Sequence, residues 1–163
     1  SMTIRTSPPI TLGDVLAELR VVNPGRALPI SLGDSDVRAL AGKPSGAISL
    51  TDLYGKSSYI PMTVQASGDS ASAGDTTLNG GTLTCHPTVS VTNGRGAKSY
   101  NWRKTGGSPG PVLSNTTSPT ATVTQTYAKT SQGSASIDLV CEVTDATGAT
   151  VTSNTVQAVF DWG

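Results

Sequence analysis

Apolar residues in this chain obey two spacing rules, and the changeover falls near Ser57. Before it they recur at helical intervals behind a phrase used three times: Ile10-Thr11-Leu12-Gly13-Asp14, Ile30-Ser31-Leu32-Gly33-Asp34 and Ile48-Ser49-Leu50-Thr51-Asp52. Each copy predicts a helix start. The Thr or Ser hydroxyl accepts from first-turn amides, the carboxylate three residues on reaches back to the cap, and the preceding Ile takes the staple position. The acid also suits the positive end of the helix dipole. The copies are too few and too short to stack as a solenoid.

After an extended lead through Pro8 and Pro9, the spacing predicts a first helix over 12–19, with Val15, Leu16 and Leu19 as its stripe and Asn23-Pro24-Gly25 as its stop. A second helix is predicted over 32–41, with Val37, Leu40 and Ala41 inward and Gly42 closing it. The third is a turn and a half, Leu50 to Tyr54, ended by Gly55. Helices this short are marginal alone, and fifty-odd residues are near the lower limit for an independent core. The segment is therefore expected to be completed by a second copy, a partner or the following domain.

From Pro61 onward the pattern is strand-like, with turn residues at sandwich intervals. The predicted strands are 62–66, 82–91 broken at Pro87, 97–104, 120–126, 137–144 and a last one from Ala149 towards Phe160, with Gly68 to Gly81 a loop or weak edge strand. Ile137, Leu139, Cys141 and Val143 give the clearest alternation, and Tyr100 and Trp102 share a face. Together with Leu139 and Val143 they are the expected sandwich core. Asp145-Ala146-Thr147-Gly148 turns the final hairpin.

Composition sharpens this into two domains, 1–57 and 58–163: a small helical or irregular module, then a β-sandwich in a mainly β chain. Eleven basic and eleven acidic residues cancel, six against five up to Lys56 and five against six beyond it, so no basic face for nucleic acid emerges. No apolar run approaches the roughly 18 residues of a membrane helix. The opening residues lack the apolar core of a secretory signal, which implies synthesis in the cytoplasm.

The succession Ile30-Ser31-Leu32, Asp36-Val37-Arg38-Ala39-Leu40-Ala41-Gly42, Ser45-Gly46-Ala47-Ile48-Ser49-Leu50-Thr51-Asp52-Leu53-Tyr54-Gly55-Lys56-Ser57 resembles a segment that recurs at the N-termini of tailed-bacteriophage virion proteins, often tail- or fibre-associated. The likeness spans about Ile10 to Ser57. It implies a module that seats the protein in a tail, baseplate or fibre assembly, several copies to a particle, as a trimer or hexamer around the tail axis. The expected docking residues are Ile10, Leu12, Leu16, Leu19, Ile30, Leu32, Leu40, Ile48, Leu50, Leu53 and Tyr54. Cys85, Trp102 and Cys141 fall, in order, where strands B, C and F of an immunoglobulin-like sandwich would put them. This resembles the immunoglobulin-like modules of phage tails and capsids, with Leu139 replacing the tyrosine of a tyrosine corner. Facing positions on B and F lie within reach of a disulfide worth roughly 2–4 kcal/mol, whereas a reducing cytoplasm keeps thiols; both states of Cys85 and Cys141 stay open.

Little else in the sequence points to chemistry. His86, the only histidine, lies outward beside Cys85 and has no converging partners for a metal or a catalytic triad. Gly55-Lys56-Ser57 lacks the earlier glycine of a phosphate loop, Leu50 standing there. Asn115-Thr116-Thr117 reads as loop rather than as a glycosylation site. Asp69, Asp75 and Asp145 lie in loops without an EF-hand pattern. No cofactor is implied, and the expectation is a non-enzymatic structural protein of the virion. Two alternatives accompany it: a host-surface receptor-binding module using loops 106–111 and 145–148, and a capsid decoration protein. Phe160 and Trp162, two of few aromatics, are expected to cover the sandwich or a neighbouring subunit.

Overall fold

The computed structural model describes residues 3–7, 9–74 and 80–163; Pro8 and Asp75 lie outside them. The chain forms two compact units, 1–61 and 62–163, with cores that share no residue.

In the first unit α1 runs Leu12–Val22, one turn beyond the predicted end. Its capping box is complete: the Asp14 amide donates to Thr11 Oγ1 at 3.2 Å and the Thr11 amide to Asp14 Oδ2 at 2.8 Å. The second helix departs from expectation, because α2 spans only Ser35–Ala41 and its cap position is Asp34, not Ser31. The Ser31 hydroxyl accepts from the Gly33 amide at 3.1 Å instead of capping a helix, and Arg26 holds the carboxylates on either side of the new start. Its guanidinium lies 2.6 Å from Asp34 and 2.7 Å from Asp36, and Asp34 also accepts from the Ser31 amide at 2.9 Å. The repeat therefore closes a turn at 31–34 before the helix begins. Gly42, at φ 71°, ends α2 as predicted. The third copy opens a 3-10 helix, Leu50–Leu53, with the Ser49 amide donating to Asp52 at 2.8 Å.

Part of the expected completion comes from within the unit. Ile4 pairs with the end of the module, its amide donating to Lys56 O at 2.8 Å while the Gly55 amide donates to Ile4 O at 3.1 Å. That closure puts Ile4 into a core with Ile10, Val15, Leu16, Leu19, Ile30, Val37, Ala41 and Leu53. The unit also extends past Ser57. Buried Glu18, 3% exposed, accepts from the Ser58 amide at 2.7 Å and fastens the strap that follows.

The second unit is an immunoglobulin-like β-sandwich. Its strands are β1 Thr63–Ser67, β2 Asp69–Ala73, β3 Gly81–Cys85, β4 Thr88–Thr92, β5 Ser99–Gly107, β6 Val112–Ser114, β7 Thr122–Tyr127, β8 Gly133–Thr144, β9 Thr150–Thr152 and β10 Val156–Trp162. One layer joins β1–β4 to β3–β7–β6, the link being a bridge from Thr88 to Thr120 and a bond from the Val89 amide to Pro119 O. The other is β2–β10–β8–β5, with β9 beside β8 and β2 parallel to β10. The first strand thus changes sheets at Gly68, where a Cβ would lie 2.3 Å from the Gln157 carbonyl oxygen. Leu139 and Val143 are fully buried, Trp102 is buried opposite Cys141, and Tyr100 packs half-buried against the same core. The last strand is interrupted at Ser153-Asn154. Asn154 turns instead to β1, its side chain pairing with both the amide and the carbonyl of Ala66.

Candidate functional site

Of the expected docking residues, Ile10, Leu16, Leu19, Ile30 and Leu53 point into the module's own core and offer no outward surface. Leu32, Leu40, Ile48, Leu50 and Tyr54 pack half-buried around that core, and Leu12 is exposed. Besides Leu12, the exposed large apolar residues of this unit include three the sequence did not single out: Leu28, Val22, 62% exposed in the unpredicted last turn of α1, and Ile60, 55% exposed on the strap beyond Ser57. With Leu40, Ala39 and Tyr59 the last two line a hollow of about 430 Å³. The signal for Val22 lay in Val21-Val22, which continues the stripe before Asn23 stops it.

Electrostatics within the unit serve to fix the turns. Hydrogen bonding to the Thr11 amide holds the Asp14 carboxyl below its ordinary range, and the Arg26 guanidinium does the same for Asp36. Asp52 is lowered by Lys43, 2.8 Å away, and then by the Ser49 amide. At Gly55-Lys56-Ser57 the amides a phosphate would need are already engaged, Gly55 with Ile4 O and Lys56 with Leu53 O.

In the sandwich, Cys85 and Cys141 are free, fully buried thiols. Burial pushes the Cys85 thiol up to about 11 and raises Cys141 as well. His86 is exposed, with its backbone amide donating to Asp69 at 2.7 Å. Asp69 and Asp145 do not converge: Asp69 pairs with Ala158, which pairs with Ile137, and Asp145 lies eight residues further along, roughly 26 Å at strand rise. Asp145 is instead engaged by its own hairpin and by the β4–β5 loop, accepting from the Thr147 amide at 2.8 Å and the Arg95 amide at 3.1 Å. Among the described residues no group of His, Cys, Asp and Glu is placed to hold a metal ion.

The two loops nominated for receptor contact lie at opposite ends of the β5–β8 ladder, since Gly107 pairs with Ile137 and Ser99 with Thr144. They cannot form one site. Asn115, at φ 54°, turns the chain so that Thr116 O accepts from the Trp102 amide, while Trp102 Nε1 donates to Ser118 O at 2.9 Å. Phe160 is wholly buried in the sandwich core, the first of the two places expected for it, and so offers no surface to a neighbouring subunit. Trp162 stacks on Tyr127 of the opposite layer, centroids 6.3 Å apart and planes 19° apart, above Gly133.

The sandwich defines the class of protein domain, and comparison with solved structures gives alignments of low similarity. The M1 domain of titin aligns at 12% identity over 63% of this chain and 94% of that domain, TM-score 0.27. A conjugative transposon lipoprotein from Bacteroides eggerthii aligns at 10% identity over 61% of this chain and 96% of that one, TM-score 0.29. No protein-family model matches the sequence and no curated protein matches it. Among the described residues no helix is long and apolar enough to cross a membrane.

Proposed function

We propose that the chain is a structural protein of a tailed-phage virion, in which the N-terminal unit seats the protein in a tail, baseplate or fibre assembly and the immunoglobulin-like domain is carried beyond it. The observation that supports this reading is the compactness of the segment bearing the phage-like succession: Ile4 to Ile60 closes on its own core, as a transferable seat must. Seating then uses what that core leaves outward, Val22 and Ile60 first. Neighbouring virion proteins are the partners, and particles are where the protein resides. The role is mechanical, with no cofactor and no reaction.

The test is mass spectrometry and immunogold labelling of purified particles, with the wild-type chain and with Val22→Asp/Ile60→Asp. Wild-type protein in the particle at several copies, and a folded double variant left outside it, support the reading. Particles without the wild-type chain overturn it.

A further inference from the structure

One carboxylate of the first unit is buried yet has no part in the turn-closing pairs of Asp14, Asp34, Asp36 and Asp52. Glu18, in α1, is 3% exposed, and the strap 57–60 converges on its Oε1. The Ser58 amide donates to that oxygen at 2.7 Å, the Ser58 hydroxyl at 2.9 Å and the Ser57 hydroxyl at 3.4 Å. The Ser58 hydroxyl also lies 3.0 Å from the Glu18 carbonyl oxygen. Ser57 passes the link along the chain, its Oγ accepting from the Tyr59 amide at 3.0 Å.

This strap is one wall of the hollow. Tyr59 and Ile60 border it together with Leu19 and Val22 of α1 and Leu40 of α2. The walls differ in what supports them. Leu19 belongs to the buried core and Leu40 packs against it, so the helices hold their sides without the strap. Ile60, 55% exposed and outside that core, is placed by the strap. Opening the strap returns Glu18 and both serines to water, which replaces their hydrogen bonds. The closed state is then favoured only by the net worth of bonds to a charged group, roughly ten- to a hundredfold for each. A clasp of that strength opens while the core beneath it stays folded.

We propose that Glu18 is the latch of this strap: closed, it pre-forms the hollow by fixing Ile60 beside Val22, and released, it dismantles the hollow without unfolding the module. Glu18 is a positioning residue, since it acts through Ser57 and Ser58. A pre-formed surface binds more tightly because the ordering cost is met before association. The latch follows from the strap's own contacts, whereas its use in seating rests on the virion reading.

Native-state hydrogen exchange of the full chain, followed by NMR at the Tyr59 amide and at the Leu19 amide of α1, tests the latch without particles. Ser58→Ala removes the hydroxyl and keeps the amide bond, Ser58→Pro removes both, and Glu18→Gln keeps an acceptor without the charge. The wild-type Tyr59 amide should exchange at least a hundredfold more slowly than in an unfolded chain. Ser58→Ala and Glu18→Gln should each accelerate it about tenfold, and Ser58→Pro should bring it to the unfolded-chain rate, with Leu19 exchange within about twofold of wild type throughout. A wild-type Tyr59 amide at the unfolded-chain rate, variants that protect it as the wild type does, or Leu19 exchange that accelerates in step with it would each overturn the proposal. In purified particles, Ser58→Pro should be incorporated at least tenfold less than the wild type; equal incorporation would overturn the latch's part in seating. Particles lacking even the wild-type chain count against the virion reading and leave the exchange result to decide the latch.

Discussion

Replacing Leu53 by Ala separates the two units experimentally. Leu53 is fully buried where the 3-10 helix packs into the module core, beside Ile4, whose strand-like pairing closes the unit. Buried Leu→Ala changes cost about 2–5 kcal/mol, the spread reflecting how far the site can collapse. A unit of this size has a total stability of roughly 3–9 kcal/mol. The loss is therefore between about a fifth and all of what holds the module together, a fall in its midpoint of roughly 8–40 °C. Both tryptophans, Trp102 and Trp162, lie in the sandwich, so their fluorescence reports that unit alone. Helical circular dichroism at 222 nm reports the module, which holds both α-helices. Thermal melts of the variant should show the dichroism transition moved down and the fluorescence transition unmoved. If the two shift together as one event, or if the dichroism midpoint moves by less than about 4 °C, the assignment of Leu53 to a separate, self-contained core is wrong.

Four further outcomes follow from named contacts. Thr11→Ala removes the acceptor for the Asp14 amide and should cost the module about 1 kcal/mol, read in the same dichroism melt. Trp102→Phe keeps a ring but strands the Ser118 carbonyl, so the sandwich should lose about 1–3 kcal/mol in denaturant titrations followed through Trp162. Asp14, Asp36 and Asp52 are held below their ordinary values, so their contribution is present above the unfolded-state pKa and lost as pH falls through the lower folded values; the dichroism midpoint should drop between about pH 4 and 2 while salt lessens the effect. For Cys85 the sign reverses. Its thiol is raised to about 11, so the folded state retains the proton longer and sandwich stability should decline from about pH 8.5 upward, with the thiol silent to alkylating reagents at pH 8 until the domain is unfolded.

What the sequence disclosed and what it concealed divide along physical lines. Alternation located β8 and the inward positions of Cys85, Trp102 and Cys141 because the period-2 pattern of a half-buried strand is local. The boxes at Thr11 and Ser49 were legible for the same reason, each being complete within four residues. The copy at Ser31 was misread because its hydroxyl accepts from the Gly33 amide, two residues on, and closes a turn ahead of the helix. Strand β6 went unseen, since three residues behind Pro111 give too short an alternation. The sheet switch at Gly68 and the break at Asn154 depend on contacts with Gln157 and Ala66, distant in sequence. Five of the eleven expected docking residues turn into the module's own core for a related reason: an apolar stripe states that a face will be buried, and not whether the burial is within the chain or against another.

That ambiguity is resolved by closure, and it redirects the search for function. Once Ile4 returns to pair with Lys56, the deep stripe of the module is spent internally, and the outward chemistry falls to residues with no periodic signature. In the module these include Leu28 and Ile60, with Val22 at the end of the stripe; in the sandwich they include the hydroxyls of a sheet whose strands carry no charge. Neither surface offers long-range electrostatic steering, because neither has a net field to project. Recognition through them rests on shape, hydrogen bonding and apolar contact at short range, with association rates near the unsteered range and little response to ionic strength. Such surfaces engage slowly and selectively when copies are few, and strongly when an assembly holds many of them in register.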